Sequence, residues 1–195
     1  MAKNNRHILK LGAVVEEELK NDSASLVTRE TGRVILNRIE HEIRQIDIGE
    51  TLILDFSDVR VIDYSCADEV IAKLLTRLKG EEYGNKYIIL QNLSPSQKEN
   101  IQVALEKKDL AILVTDNKKN WEVIGILNNY LLETLQAIMK SDGISTRQLS
   151  DKLKLELNTA STRLLNLHKA RLVKKCEERT SYGRRQFVYR SLLSE

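Results

Sequence analysis

The sequence predicts an α/β domain built on a mixed sheet, followed by a smaller α+β module. Three observations lead there. Short apolar runs at Thr51–Phe56, Tyr87–Leu90 and Ala111–Val114 alternate with longer amphipathic segments, the pattern of buried strands joined by helices. The last fifty or so residues instead carry two short helical segments and then a run that doubles back at a glycine. Charge divides at the same place: Ile144–Glu195 holds 12 Lys or Arg against 5 Asp or Glu, while the residues before it hold 19 against 23.

A chain of 195 residues is long enough for two compact domains, which are expected at residues 1–118 and 119–195. No apolar run reaches the roughly 18 residues of a membrane span. The opening residues MAKNNRHILK lack an apolar segment followed by a cleavage site, so no signal peptide is expected. Cys66 and Cys176 are far apart and show no C-x-x-C spacing, which fits a reduced, cytoplasmic protein. His7, His41 and His168 are isolated. Neither a metal site nor a cofactor is expected.

Taken in order, His7–Val15 reads as a first strand. Asp22 or Ser23 can cap a helix running to about Gln45, with Val27, Val34, Ile35, Ile39 and Ile43 at mostly helical spacing. Gly32 interrupts that helix with a poor helix former. Thr51–Phe56 is a buried strand. The segment Val59–Ile62 leads to Asp63-Tyr-Ser-Cys-Ala67, and a helix from about Ala67 to Lys79 sets Val70, Leu74 and Leu78 on one side. Gly80 and Gly84 bracket a turn before the strand Tyr87–Leu90. Ser94-Pro95 opens a helix, because proline is tolerated in a first turn, and this helix carries Ile101, Ala104 and Leu105. Ala111–Val114 is the next strand. From Trp121 to Lys140, apolar residues at 121, 124, 127, 131, 135 and 138 step by three or four, which predicts one connecting helix. Its surplus apolar residues Val123, Ile126 and Leu132 predict packing between the domains or against a second subunit.

The C-terminal module opens with Ser145-Thr-Arg-Gln148, a capping box for a short helix to about Leu153. Asn158 can cap a second helix running to about Ala170. At 100° per residue, Ala160, Leu164, Leu167 and Arg171 share one stripe, so the three apolar members should face the core. Thr159, Thr162, Asn166 and Lys169 lie opposite, with Arg163 at the edge. Thr and Asn can bond base edges or phosphates, and Lys and Arg neutralise phosphates. After this helix, Leu172–Arg179 and Arg184–Arg190 form a hairpin turning at Gly183, with Val173, Phe187 and Tyr189 in partial strand patterning. Its tip would carry Arg179, Arg184 and Arg185 towards phosphates or a minor groove. Thr146 and Arg147, in the first turn of the short helix, complete the expected DNA-contacting set.

Two short helices after a longer one, closed by a basic hairpin, resemble the winged helix-turn-helix regulators of bacteria, in the broad sense of the MarR-like and ArsR-like groups. The phrases GISTRQLSDKL and LNTASTRLLNLHKARLV and the Gly-Arg-Arg hairpin carry the resemblance. It spans roughly residues 125–192. It implies duplex DNA as the partner and a two-fold dimer whose paired helices meet half-sites one DNA turn apart.

The stretch Thr51-Leu-Ile-Leu-Asp-Phe-Ser-Asp, the Ile-Asp that closes the connector, and the Ser and Ala-Asp-Glu that follow resemble the STAS-like family, relatives of the anti-sigma-factor antagonists. The Leu-Val-Thr-Arg-Glu-Thr-Gly-Arg helix supports the STAS-like branch. The resemblance covers about residues 20–115 and implies a mixed sheet with helices. In the antagonists a Ser or Thr of this turn is phosphorylated. Here the turn reads Asp63-Tyr64-Ser65-Cys66, where Tyr64 and Cys66 depart from the Asp-Ser-Ser/Thr-Gly pattern. Ser65 is therefore either a regulatory hydroxyl or a helix cap, and Cys66 either a thiol activated by a helix N-terminus or a core filler.

Asp55, Asp58, Asp63 and Asp68 lie close in sequence, but the chain has no Gly-rich phosphate loop, nucleophile elbow or paired His, so no enzymatic activity is expected. The leading expectation is a transcriptional regulator whose N-terminal domain receives a regulatory protein or a small-molecule effector. The alternative is a protein-interaction switch in which the C-terminal module is a docking surface.

Overall fold

Four strands lie parallel, with a fifth antiparallel at one edge, in the first of two compact units, which ends at Ile126. The computed structural model describes residues 6–19, 24–118, 120–179 and 183–194. The strands are β1 (Arg6–Lys10), β3 (Thr51–Asp55), β5 (Tyr87–Gln91), β6 (Ala111–Thr115) and β7 (Trp121–Gly125), paired in the order β1-β3-β5-β6-β7. β6 and β7 are the antiparallel pair. A small parallel ladder joins β2 (Ser25–Leu26) to β4 (Val61–Ile62). The sheet is thus mixed. Every residue of β3 and β6 is buried, as expected of strands whose side chains are covered on both faces.

The helices of this unit are α1 (Leu11–Leu19), α2 (Arg29–Gln45), α3 (Tyr64–Ala67), α4 (Lys73–Lys79) and α5 (Pro95–Glu106), with a π-helical turn at Asp68–Ala72 between α3 and α4. Ile35, Ile39 and Ile43 of α2, Val70 of the π turn, Leu74 of α4, and Ile101 and Leu105 of α5 share one core with Leu52, Leu54, Ile88, Leu90 and Ile112 of the sheet. α5 starts at a capping box, Ser94 accepting from the Gln97 N–H, with Pro95 in its first turn.

α2 crosses the π turn at close range. A Cβ built on Gly32 would sit 3.0 Å from the Glu69 Cβ and 3.4 Å from the Cys66 Sγ. A poor helix former stands at the fourth residue of α2 because only its missing side chain admits this approach. Flanking the crossing, Asp68 pairs with Arg29 (3.2 Å) and Lys108 (2.9 Å), and Glu69 with Lys73 (2.6 Å). Both carboxylates are buried, so these partners compensate their desolvation. Gly32→Val is expected to cost about 1–3 kcal/mol through overpacking, read as a lower urea midpoint; an unchanged midpoint would mean that the helices separate freely.

Several expected boundaries are corrected. The first strand ends at Lys10, and Leu11–Leu19 is helical, because Leu11, Val14 and Val15 recur at helical spacing and are all buried. The α2 helix begins at Arg29, with the Thr28 side chain accepting from the Thr31 N–H; the expected caps Asp22 and Ser23 lie outside the described residues. The helix expected over 121–140 is a strand and a helix. Trp121–Gly125 pairs with β6, and α6 (Asn129–Met139) starts beyond it. A three-to-four spacing in so short an apolar run does not exclude a strand. Trp and Val favour the sheet, and Gly125 adopts φ +94°, outside helical geometry. The chain divides into two compact units between Ile126 and Leu127.

The second unit contains α6, β8 (Ile144–Ser145), α7 (Thr146–Leu153), α8 (Leu157–Lys169), β9 (Val173–Arg179) and β10 (Arg185–Ser191). Its three strands pair antiparallel in the order β8-β10-β9. Leu131, Leu135 and Ile138 of α6, Leu149 of α7, Ala160, Leu164 and Leu167 of α8, and Val173 and Val188 of the hairpin are buried. No helix among the described residues is long and apolar enough to cross a membrane.

Candidate nucleic-acid interface

The second unit presents one helix face and one hairpin on which polar and cationic side chains gather. α7 is held at its start by the reciprocal box of Ser145 and Gln148: the Ser145 hydroxyl oxygen accepts from the Gln148 N–H at 3.4 Å, and the Gln148 side-chain Oε1 accepts from the Ser145 N–H at 2.8 Å. It stops where Lys154 turns left-handed at φ +53°. There the Ser150 hydroxyl donates to the Leu155 carbonyl at 2.6 Å, and the Leu155 N–H donates back to the Ser150 carbonyl at 3.0 Å. These two bonds close the tight connection to α8. The residue flanking α8 is Glu156, without a side-chain cap. The expected cap Asn158 lies instead in the first turn of the helix, because Leu157 already takes helical geometry.

α8 follows the stripe its spacing predicts. Ala160, Leu164 and Leu167 are fully buried and Arg171, just past its end, is buried with them. Thr159, Thr162 and Lys169 are exposed, and Asn166 and Arg163 are half-buried. Asn158, Thr159, Thr162, Arg163 and Asn166, together with Tyr130 of α6, line an open cleft of about 450 Å³. The Thr162 hydroxyl donates to the Asn158 carbonyl at 2.8 Å. Arg163 does not project freely. Its guanidinium bonds the Glu133 carboxylate at 3.0 Å and the Tyr130 carbonyl at 3.3 Å, and lies 5.3 Å from the centre of the Tyr130 ring.

In the hairpin, β9 and β10 keep register from Arg179↔Arg185 to Val173↔Ser191. Gly183 has φ +73° and no atom near a Cβ position, the free left-handed residue a turn wants. Residues 180–182 lie outside the described ones. Arg179, Arg184 and Arg185 are all exposed. Arg185 meets Glu177 at 3.2 Å, an exposed pair worth little against a competing phosphate. Thr146 and Arg147 sit in the first turn of α7, Arg147 exposed. The sequence reading missed Tyr130, Glu133 and Asn158 as parts of this surface. Tyr130 lies off the buried stripe of α6 and is 44% exposed; an aromatic off the apolar stripe was the available signal.

Ser65 and Cys66 belong to the first unit. The cap of α3 is Asp63, not Ser65: its carboxylate accepts from the Cys66 N–H at 2.7 Å and from the Thr28 N–H at 3.2 Å. A carboxylate is favoured at a helix N-terminus, which leaves the Ser65 side chain half-buried in the first turn. Cys66 is fully buried. Burial, then the nearby Asp63 and Glu69 charges, push its thiol up to about 12. A reactive thiolate needs the opposite shift. Iodoacetamide at pH 8 is accordingly expected to leave Cys66 unmodified in the folded protein and to alkylate it in urea, read by peptide mass spectrometry. Burial likewise raises the Tyr83 phenol to about 12. The unfolded chain releases these two protons at lower pH than the folded one does. Stability should therefore fall as the pH rises from about 9 towards 12.

A family model described as a STAS-like domain of unknown function (DUF4325) matches residues 31–98. The match runs from α2 through β3, the π turn and β5 into the start of α5, so this part of the first unit is similar to STAS-like domains. No curated protein matches the chain.

Proposed function

We propose that residues 127–195 form a winged helix-turn-helix module that binds duplex DNA under the control of the STAS-like domain. One observation carries the reading: α8 buries its apolar stripe and turns Thr159, Thr162, Asn166 and Lys169 outward, while the hairpin of the same unit exposes Arg179, Arg184 and Arg185. A helix able to read base edges beside a cationic hairpin able to grip the backbone is the combination duplex recognition requires. The excess of Lys and Arg after Ile144 supports it electrostatically. The protein acts as a two-fold dimer on paired half-sites, and no catalysis is assigned to it. Regulation enters through the STAS-like domain, with Ser65 as the hydroxyl of its switch turn and a protein or small molecule as the input.

The test is fluorescence anisotropy of the whole chain with duplex from its own upstream region and with a scrambled duplex, at two salt concentrations. Tighter binding to the upstream duplex, weakening with salt, is the expected result. Absence of binding to either duplex at low salt, with and without cell extract as a source of effector, sinks the reading. A second reading, a protein-interaction switch, is favoured by the STAS-like match alone; it predicts that the hairpin arginines are irrelevant to DNA.

A further inference from the structure

The cleft on α8 has a composition that selects among base pairs. Its wall supplies the carboxamides of Asn158 and Asn166, the hydroxyls of Thr159 and Thr162, and the Tyr130 ring. Guanine is most often read by an arginine or lysine that donates two hydrogen bonds to O6 and N7, adenine by an Asn or Gln that donates to N7 and accepts from N6, and thymine by apolar contact with its methyl group. The cation of this cleft is Arg163, and it is committed: Glu133, the Tyr130 carbonyl and the Tyr130 ring hold it. Thr162 spends its proton on the Asn158 carbonyl, leaving a methyl group and oxygen lone pairs to offer. Leu157, in the first turn of α8, is 49% exposed and adds an apolar contact.

We propose that α8 reads A·T pairs in the major groove, with Asn158 and Asn166 as the adenine-reading residues, Leu157 and Thr162 against thymine methyl groups, and Glu133 as the positioning residue that withholds Arg163 from guanine. The inference rests on the DNA-binding reading above and names its specificity. From Asn158 to Asn166 the helix rises about 12 Å, so the readout spans three to four base pairs at about 3.4 Å each. The carboxylate matters to this selectivity, because the guanidinium it holds is the group that would otherwise favour guanine.

The experiment is selection from a pool of random duplexes by the full chain, followed by anisotropy on the enriched duplex and on versions with its central A·T pairs changed to G·C. Enrichment of A·T at the half-site core is expected, with a loss of about tenfold or more on each change to G·C. Asn166→Ala should flatten that discrimination. Glu133→Ala should release Arg163 and raise binding to the G·C version, while Arg163→Ala should leave the A·T preference in place. Folding of each variant is checked by circular dichroism. A selected motif centred on guanine, or an Asn166→Ala variant that discriminates as well as the parent, overturns this proposal alone. Failure to retain any duplex at low salt overturns the DNA-binding reading along with it.

Discussion

Alanine at both Arg184 and Arg185 is expected to lower DNA affinity by about tenfold or more in low salt and to reduce the slope of log K against log salt by about 2. Both guanidinium groups are exposed, Arg185 as the first residue of β10 and Arg184 just before it, and β10 lies between β8 and β9 in the small sheet. Each phosphate they neutralise releases condensed counterions, so the slope counts contacts, whereas affinity also reflects everything else the duplex touches. The Glu177 carboxylate beside Arg185 gives way at little cost, because an exposed ion pair contributes about 0–1 kcal/mol. The comparison that gives the result its meaning is Arg60→Ala with Lys79→Ala. These two exposed cations lie in the first unit, and their removal lowers the net charge from +3 by the same amount. If both double variants lose affinity and slope equally, the effect is one of overall charge and the hairpin is not a wing. If only the Arg184/Arg185 variant changes, the contact is local.

Much of the fold could be read from patterns that are local in the chain. The inner parallel strands β3, β5 and β6 announce themselves as continuous apolar runs, because a strand covered on both faces has no polar side to alternate with. The two capping boxes, at Ser94 and Ser145, are four-residue signals with a single geometric meaning. The buried stripe of α8 followed from its period alone. The boundary errors came where two local rules compete. Trp121–Gly125 satisfies a helical spacing and a strand composition together, and its antiparallel pairing with β6, from Thr115↔Trp121 to Ala111↔Gly125, decides between them. Ser65 and Asp63 are both good cap residues; which one acts depends on where Leu26 and Thr28 bring the chain, since the Asp63 N–H donates to the Leu26 carbonyl at 2.9 Å and the Asp63 carboxylate meets the Thr28 N–H. For the candidate interface, the sequence named the outward face of α8 and the hairpin arginines but placed Arg163 at the edge of a free surface. Its commitment to Glu133 and Tyr130 spans about thirty residues, and no local pattern encodes a pairing at that distance.

Gly125→Ala is expected to be the most destabilising single methyl group in the first unit, at about 3–5 kcal/mol. Two costs coincide at this position. The backbone has φ +94°, where an L side chain is strained by about 1–3 kcal/mol. A Cβ would also sit 2.2 Å from the Leu110 carbonyl oxygen and 3.1 Å from the Ala111 Cα. Those are backbone atoms held in the sheet, with the Ile126 N–H donating to the same Leu110 carbonyl at 2.8 Å, so neither can swing aside as a flexible side chain would. Trp121, the only tryptophan of the chain, is the first residue of the same strand, and its fluorescence reports the unfolding of this unit in urea. Gly49→Ala separates the two costs. Gly49 has a nearly equal φ of +89° but no atom within 4 Å of a Cβ, so its substitution carries the dihedral strain without the clash. The midpoint of Gly125→Ala should fall by about 2 M urea and that of Gly49→Ala by well under half as much. Equal shifts would show that β7 moves away from β6 to admit the methyl group. In that case the turn at 125, and not the packing of the strand it ends, determines how firmly the antiparallel edge is held.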